Sequence, residues 1–291
     1  MPSHASIVIP AHNEQDRIPH LLQTLADPSI EGRYDVYVIC NGCTDNTSQV
    51  AREYDVTVVE MDMSGKHYAL NEGDRLAGDV FPRLYCDADI RITPSTIQSL
   101  IDTLTTDRVR AAGPEIRYDV ERSSRAVQLY FRALESRIMT QWSDQHLTGR
   151  GLYGASRAAR QRFDAFPGLV ADDLFFDSQF TANEKAIVPG TTTVLLGPAS
   201  FRQLLRSEVR VAQGNHQFRV TARREKFADL GGQPHGRFRL RLRDRVSTLR
   251  SWRGDLRRDD VVPILFYLAV IAGARVILIA KTLHRRQVSW R

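Results

Sequence analysis

The chain has 291 residues, 42% apolar and 25% charged, a balance that excludes long disorder and leaves room for one large domain with its own core. Its net charge of +6 is unevenly placed: acids crowd the N-terminal third, while arginines accumulate after Arg202 and point the back half toward an anionic partner. Three cysteines, Cys40, Cys43 and Cys86, are too few for a disulfide framework and fit a reducing compartment.

Residues 6–10 (SIVIP) form a compact apolar run that predicts a buried strand, after which Ile18, Leu21, Leu22 and Leu25 recur at helical spacing. Residues 35–40 (DVYVIC) predict a second strand, followed by the turn-rich NGCTDNT and the helical SQVAREY. A third strand is expected at 56–61 and a fourth ending at Cys86. Thr93 and Pro94 read as an N-cap and first-turn proline, opening a helix with Ile97, Leu100, Ile101 and Leu104 on one face. Strands alternating with helices predict an α/β, doubly wound, mostly parallel sheet flanked by helices. In such sheets ligands bind outside the carboxyl ends of the strands. From about 111 to 224 the pattern is mixed, with one long helix expected over 123–142.

The unusual polar residues fall at the expected strand ends. Asp87-Ala88-Asp89 follows the apolar FPRLYC. Two carboxylates one residue apart offer hard oxygen ligands suited to Mn²⁺ or Mg²⁺, which in turn bridges phosphate oxygens. A solvated turn is the competing reading, since D-x-D recurs often by chance. A second acidic pair, Asp172-Asp173, sits in LVADDLFFDSQF. Apolar flanks desolvate such a pair, and adjacent acids raise each other's pKa, as a general base for a hydroxyl requires. The bland alternative is a helix N-terminus carrying two favourable carboxylates. Residues 149–154 (GRGLYG) match G-x-G-x-x-G literally, but no strand–helix unit surrounds them, and a dinucleotide site is rejected. Cys40 and Cys43 have no second pair and read as plain thiols; the histidines show no ligand spacing, and His216 is a candidate to complete a metal shell, with a polar surface residue as the favoured reading.

The strand ends Pro10-Ala11-His12-Asn13-Glu14 and Asn41-Gly42-Cys43-Thr44-Asp45, then Gly65-Lys66 before HYALNEG, then the D-x-D, taken in that order, resemble glycosyltransferase family 2 over about residues 5–215. The resemblance implies a GT-A fold and an inverting enzyme that uses a nucleotide-sugar and a divalent cation. Pro10 and Ala11 would line the base pocket, with Glu14 ordering that loop. Asn41 stands where the family commonly has an aspartate that contacts the base, which weakens the uridine expectation. Lys66 would approach base or diphosphate, Asp87 ribose or metal, and Asp89 would ligate the metal. Asp173 would be the base, supported by Asp172 where the family usually has glutamate. Residues 207–214 (SEVRVAQG) resemble a degraded Q-x-x-R-W segment: Arg210 is kept to face the leaving diphosphate, and Val211 replaces the tryptophan. That loss argues against a processive synthase.

Nine arginines fall in residues 237–258, and 261–280 is apolar but for Arg275. Arg275 divides the run, and a single span would carry the basic KTLHRR to the far side, so peripheral attachment is preferred to a true span. The expected layout is a catalytic domain over 1–225, with a nucleotide-sugar half (1–110) and an acceptor half (111–225). An arginine-rich segment (226–260) and an apolar helix with basic tail (261–291) complete it. With no basic leader, the protein is expected in the cytoplasm, at the inner face of the membrane if attached. The expected partners are a nucleotide-sugar donor, UDP-linked first, and a carbohydrate, lipid-linked or small-molecule acceptor. An anionic membrane surface is a candidate, nucleic acid is disfavoured, and a homo-oligomer is left open. Rival readings are a retaining GT-A enzyme of the glucosyl-3-phosphoglycerate synthase type, a polyprenyl-phosphate sugar synthase, and a non-catalytic basic adaptor for nucleic acid or membrane.

Overall fold

A computed structural model describes residues 4–30, 32–106, 109–224 and 257–288; the arginine-rich run from 226 to 256 lies outside the described residues. The first four strands are β1 (Ala5–Ala11), β2 (Tyr34–Asn41), β3 (Thr57–Met61) and β4 (Arg83–Cys86). Between them lie α1 (Ile18–Leu25), α2 (Thr47–Ala51) and α3 (Lys66–Ala77). These strands pair in parallel, β1 with both β2 and β4, β2 also with β3. The strand-end polar motifs therefore share one edge of the sheet.

The second half adds α4 (Pro94–Thr105), β5 (Ala111–Asp119), α5 (Arg125–Leu134), α6 (Arg137–Ser143), β6 (Leu152–Ala155) and α7 (Arg157–Arg160). Then come α8 (Asp172–Ser178), a 3₁₀ turn, β7 (Lys185–Leu196), α9 (Phe201–Arg224) and α10 (Arg258–Val288). Among the described residues, seven strands lie in the order β3-β2-β1-β4-β6-β5-β7. Only β6 runs against its neighbours, antiparallel to both β4 and β5, while β5 and β7 are parallel. A mostly parallel α/β sheet results.

Alternation along β1 sends its side chains to two layers. Ile7 and Ile9 join Ile18, Leu21 and Leu22 of α1 with Ile97, Leu100, Ile101 and Leu104 of α4. Val8 faces the opposite layer with Leu70, Tyr85 and an aromatic cluster of Phe163, Phe166, Phe175, Phe176 and Phe180. Helix α4 starts as its sequence dictates, the Thr93 hydroxyl accepting from the Thr96 amide. Helix α3 lies so close to β1 that a Cβ on Gly73 would sit 2.2 Å from Val8 Cγ1.

That same helix is fastened by charge. Asp74 accepts from Arg83 Nη1, Arg160 Nε and the Tyr85 hydroxyl, each at 2.8 Å. Arg83 is 2% exposed, so both partners depend on each other for compensation.

The long helix expected over 123–142 is two helices. Chain direction changes at Glu135-Ser136, where the buried Ser136 hydroxyl donates to the Ala133 carbonyl at 2.6 Å and ends α5. Helix α10 packs along α5 and α9, with Val270 joining Val127, Tyr130 and Leu204 in a third apolar cluster.

Candidate active site

The loop ends of β1, β2 and β4, the Gly65 turn and the start of α8 converge. Asn41 closes β2 and is 5% exposed. In the amide orientation that satisfies its neighbours, its nitrogen donates to the Ala11 carbonyl at 2.9 Å and its oxygen accepts from Gly65 N–H at 3.1 Å. The side chain expected to read a nucleobase thus also joins β1 to the turn that starts α3, using one of its two N–H groups and one of its two oxygen lone pairs. Nearby, His12 Nδ1 lies 2.7 Å from the Asn41 carbonyl, and the Asn13 side chain accepts from Thr44 N–H at 2.7 Å. Asn13 holds a left-handed φ of 56°, stabilised by that bond. Ala11 is buried, Pro10 is half-buried, and Glu14 N–H donates to the Thr47 hydroxyl at 2.8 Å.

Lys66 is the hub. As first residue of α3 it reaches Asp87 Oδ1 at 2.7 Å and Asp172 Oδ2 at 2.9 Å, joining the D-x-D to the second acidic pair. Burial alone would lower its pKa; Asp172 and Asp87 outweigh that and raise it, so the ammonium stays charged. Asp87 is pushed the other way than its partner would push it: burial raises its pKa despite the adjacent ammonium. Asp172 is 3% exposed and also accepts from the Tyr153 hydroxyl at 2.9 Å.

Asp173, the next residue, points elsewhere. Its Oδ2 accepts from Gly149 N–H at 2.6 Å and its Oδ1 from its neighbour Leu174 N–H at 2.7 Å. Burial first, then the charge of Asp172, raise its pKa to about 6 against two favourable backbone bonds. A carboxylate with that pKa is ionised at neutral pH yet basic enough to take a proton in a reaction.

Gly149 and Gly151 both have left-handed φ, 69° and 66°. The Gly151 carbonyl accepts from Asp87 N–H at 2.7 Å, and a Cβ there would lie 2.5 Å from Ile90 Cγ2. The G-x-G-x-x-G match therefore leads into β6 rather than opening a helix. It joins the two acidic motifs through backbone alone: Gly149 holds Asp173, and Gly151 holds Asp87.

Asp89 differs from Asp87. Its side chain is 47% exposed, with Arg17 Nη1 at 3.6 Å, beyond hydrogen-bond reach. Burial, then Asp89, raise the pKa of the nearby Glu14. The donor set of Asp89 with Asp87 is all carboxylate oxygen, which fits Mn²⁺ or Mg²⁺. Among the described residues no three His, Cys, Asp or Glu gather into a cage. Such a cation would draw its remaining ligands from water and diphosphate, as Mg²⁺-type sites commonly do.

Among the described residues no contact brings Arg210 into this cluster. It is exposed on α9, one turn before Gly214, whose Cβ position is 3.3 Å from Ala171 and Val170, the residues leading into Asp172. Val211 is 46% exposed, and His216 is exposed on the same helix. Sequence reasoning missed Tyr153, Arg17 and the Gly149 and Gly151 backbone; of these only Arg17, one helical turn after Glu14, carries a readable signal.

The Glycosyl transferase family 2 model matches residues 6–163, over half the chain. The chain belongs to glycosyltransferase family 2. Among curated proteins, a Staphylococcus aureus 4,4'-diaponeurosporenoate glycosyltransferase is 45% identical over 65 residues, 22% of this chain and only 17% of that relative. Among solved structures, mannosyltransferase PcManGT of Pyrobaculum calidifontis, in complex with GDP-Man and Mn²⁺, is 17% identical. It is matched over 100% of this chain and 83% of its own, with a TM-score of 0.57. Glucosyl-3-phosphoglycerate synthase of Mycobacterium tuberculosis, with Mn²⁺, UDP and glucosyl-3-phosphoglycerate, is 21% identical over 72% of this chain and 77% of its own, TM-score 0.52. At these identities the two structures share the family 2 fold, and nothing finer follows from them.

Proposed function

We propose that this family 2 glycosyltransferase is inverting and non-processive, moving one sugar from a nucleotide-sugar to an acceptor hydroxyl, with Asp173 as general base. The reading is carried by one observation: Lys66 couples the D-x-D carboxylate Asp87 to Asp172, and the adjacent Asp173 has a pKa raised to about 6.

Each oxygen of Asp173 accepts one backbone N–H, so each keeps a lone pair for an acceptor hydroxyl. As the acceptor oxygen forms its bond to the anomeric carbon, its proton passes to Asp173. The bond from that carbon to the diphosphate oxygen breaks with its electron pair on the leaving group. Lys66 and Tyr153 hold the Asp172 carboxyl in place beside Asp173. A divalent cation, when held by Asp89 and Asp87, would offset charge on the leaving diphosphate. Arg210, one turn before the helix position that meets Ala171, would add a guanidinium for the same oxygens. Neighbours solved with GDP-Man and with UDP both share the fold, and Asn41 is partly occupied internally, so the uridine preference rests on the resemblance alone.

Thermal shift with UDP-, GDP- and dTDP-sugars, with and without Mn²⁺, identifies the donor, because only a ligand of the folded state raises the melting temperature. With that donor, Asp173→Asn is expected to lower kcat by about 10²–10⁴-fold while donor affinity stays within about twofold. Normal turnover in this variant, or retention of anomeric configuration in the product, would refute the assignment.

A further inference from the structure

Helix α10 has two unlike faces. Ile264, Val270 and Ala274 are 8% exposed or less and pack on α5 and α9. Tyr267 stacks on Tyr130 with ring centroids 5.1 Å apart. On the other side, Val262, Leu265, Leu268, Val276 and Ile279 are 50–65% exposed. Their spacing of three, three, eight and three residues keeps them on one stripe, about 26 Å long at 1.5 Å per residue. Phe201, 39% exposed at the start of α9, lies 6.1 Å from Phe266 and widens the patch at its N-terminal end. Isolated exposed apolar residues need no explanation, but a continuous stripe of this length does.

By length and composition Arg258–Thr282 is a helix that is able to cross a bilayer, and only 22% of its apolar window is buried. Its packing opposes that role. Inward contacts run from Ile264 to Ala274 along α5 and α9, and those helices carry several arginines that could not enter the hydrocarbon beside a span. We propose that α10 is an in-plane membrane anchor: its outer stripe inserts into an anionic bilayer surface while its inner face remains packed on α5 and α9.

Charge selects lipid over a second copy of the chain. Arg258, Arg275 and Lys281 are exposed on this helix, and Arg257 just before it, against two acids, Asp259 and Asp260, at its start. The sequence immediately before it holds a further seven arginines between 237 and 253. Arg275 adjoins Val276 on the outer side, where a two-fold pairing of stripes would bring like charges together. At a bilayer the same guanidinium reaches the phosphates beside the inserted chains. The inference does not depend on the transferase reading.

The test adds the purified full chain to phosphatidylcholine vesicles, with and without phosphatidylglycerol, and measures the bound fraction by sedimentation. Strong binding to the anionic vesicles, weakened by salt, is expected. Leu265→Glu and Val276→Glu are each expected to weaken it at least about tenfold, with far-UV circular dichroism and melting unchanged. Val276→Ser, which removes apolar area without adding repulsion, is expected to weaken it less. No binding to anionic vesicles overturns the proposal, and so does binding that the two glutamates leave intact. A wild-type dimer that Leu265→Glu dissociates, with no vesicle affinity, overturns it in favour of a second copy. Binding that resists alkaline carbonate extraction overturns it in favour of a span.

Discussion

Asp173 titrates where an enzyme base is useful, and that has a thermodynamic signature. Its folded pKa, about 6, lies above the ordinary 3.8 of an aspartate. A raised carboxyl pKa favours the folded state while protonated: the contribution is complete below pH 3.8 and is lost as pH climbs through 6. Relative to wild type, Asp173→Asn is therefore expected to melt higher at pH 8 than at pH 4, by a difference on the order of 1–3 kcal/mol. Calorimetry at the two pH values measures it. In the wild-type enzyme kcat/KM should rise through an apparent pKa near 6, in the direction of deprotonation. Lys66 gives a second handle. Replacing it with methionine leaves Asp87 and Asp172 facing each other without the intervening cation. Destabilisation of about 1–3 kcal/mol in urea and loss of donor affinity are expected together. Unchanged donor affinity would show that the lysine is purely structural.

At the level of elements, the N-terminal half was readable because physics writes it plainly. Parallel strands buried on both faces are apolar runs, and β1, β2 and β4 are such runs. Thr93 and Pro94 announce α4 by capping chemistry. The later strands leave weaker marks. Strand β6 has four residues, and β7 is only partly buried and carries Pro189, Gly190 and three threonines. Its partner β5 shifts register between Pro114 and Glu115, which breaks the period-two pattern. The site divides in the same way. Asp87, Asp89, Asp172 and Asp173 stand out as pairs, but a backbone N–H from Gly149 has no letter of its own. Tyr153 reads as one more buried aromatic. Gly151→Ala tests that hidden part: left-handed φ and a 2.5 Å approach to Ile90 predict a loss of about 1–3 kcal/mol. Because its carbonyl holds Asp87, donor affinity should fall beyond what stability explains.

On the scale of the whole molecule, α10 was visible as an apolar run but its orientation was not. A helix apolar on nearly every side conceals which face is packed. The structure separates the faces, and Val270→Asp should discriminate them from a stripe substitution. Buried among Tyr130, Val127 and Leu204, an aspartate at 270 should cost about 3 kcal/mol or more in urea denaturation, against less than about 0.5 kcal/mol for Leu265→Glu. A further whole-molecule property comes from the two fastenings between α3 and β4. Lys66 meets Asp87 at one end, and Asp74 meets Arg83 at the other. Eight helical residues rise about 12 Å. Four extended ones rise about 13 Å. Two segments with different pitch thus measure out the same length, like rungs cut for a single frame. Exchanges of exposed side chains between the rungs leave the length of such a frame intact, whereas inserting or deleting one residue in either rail would part the catalytic end while the buried end still held.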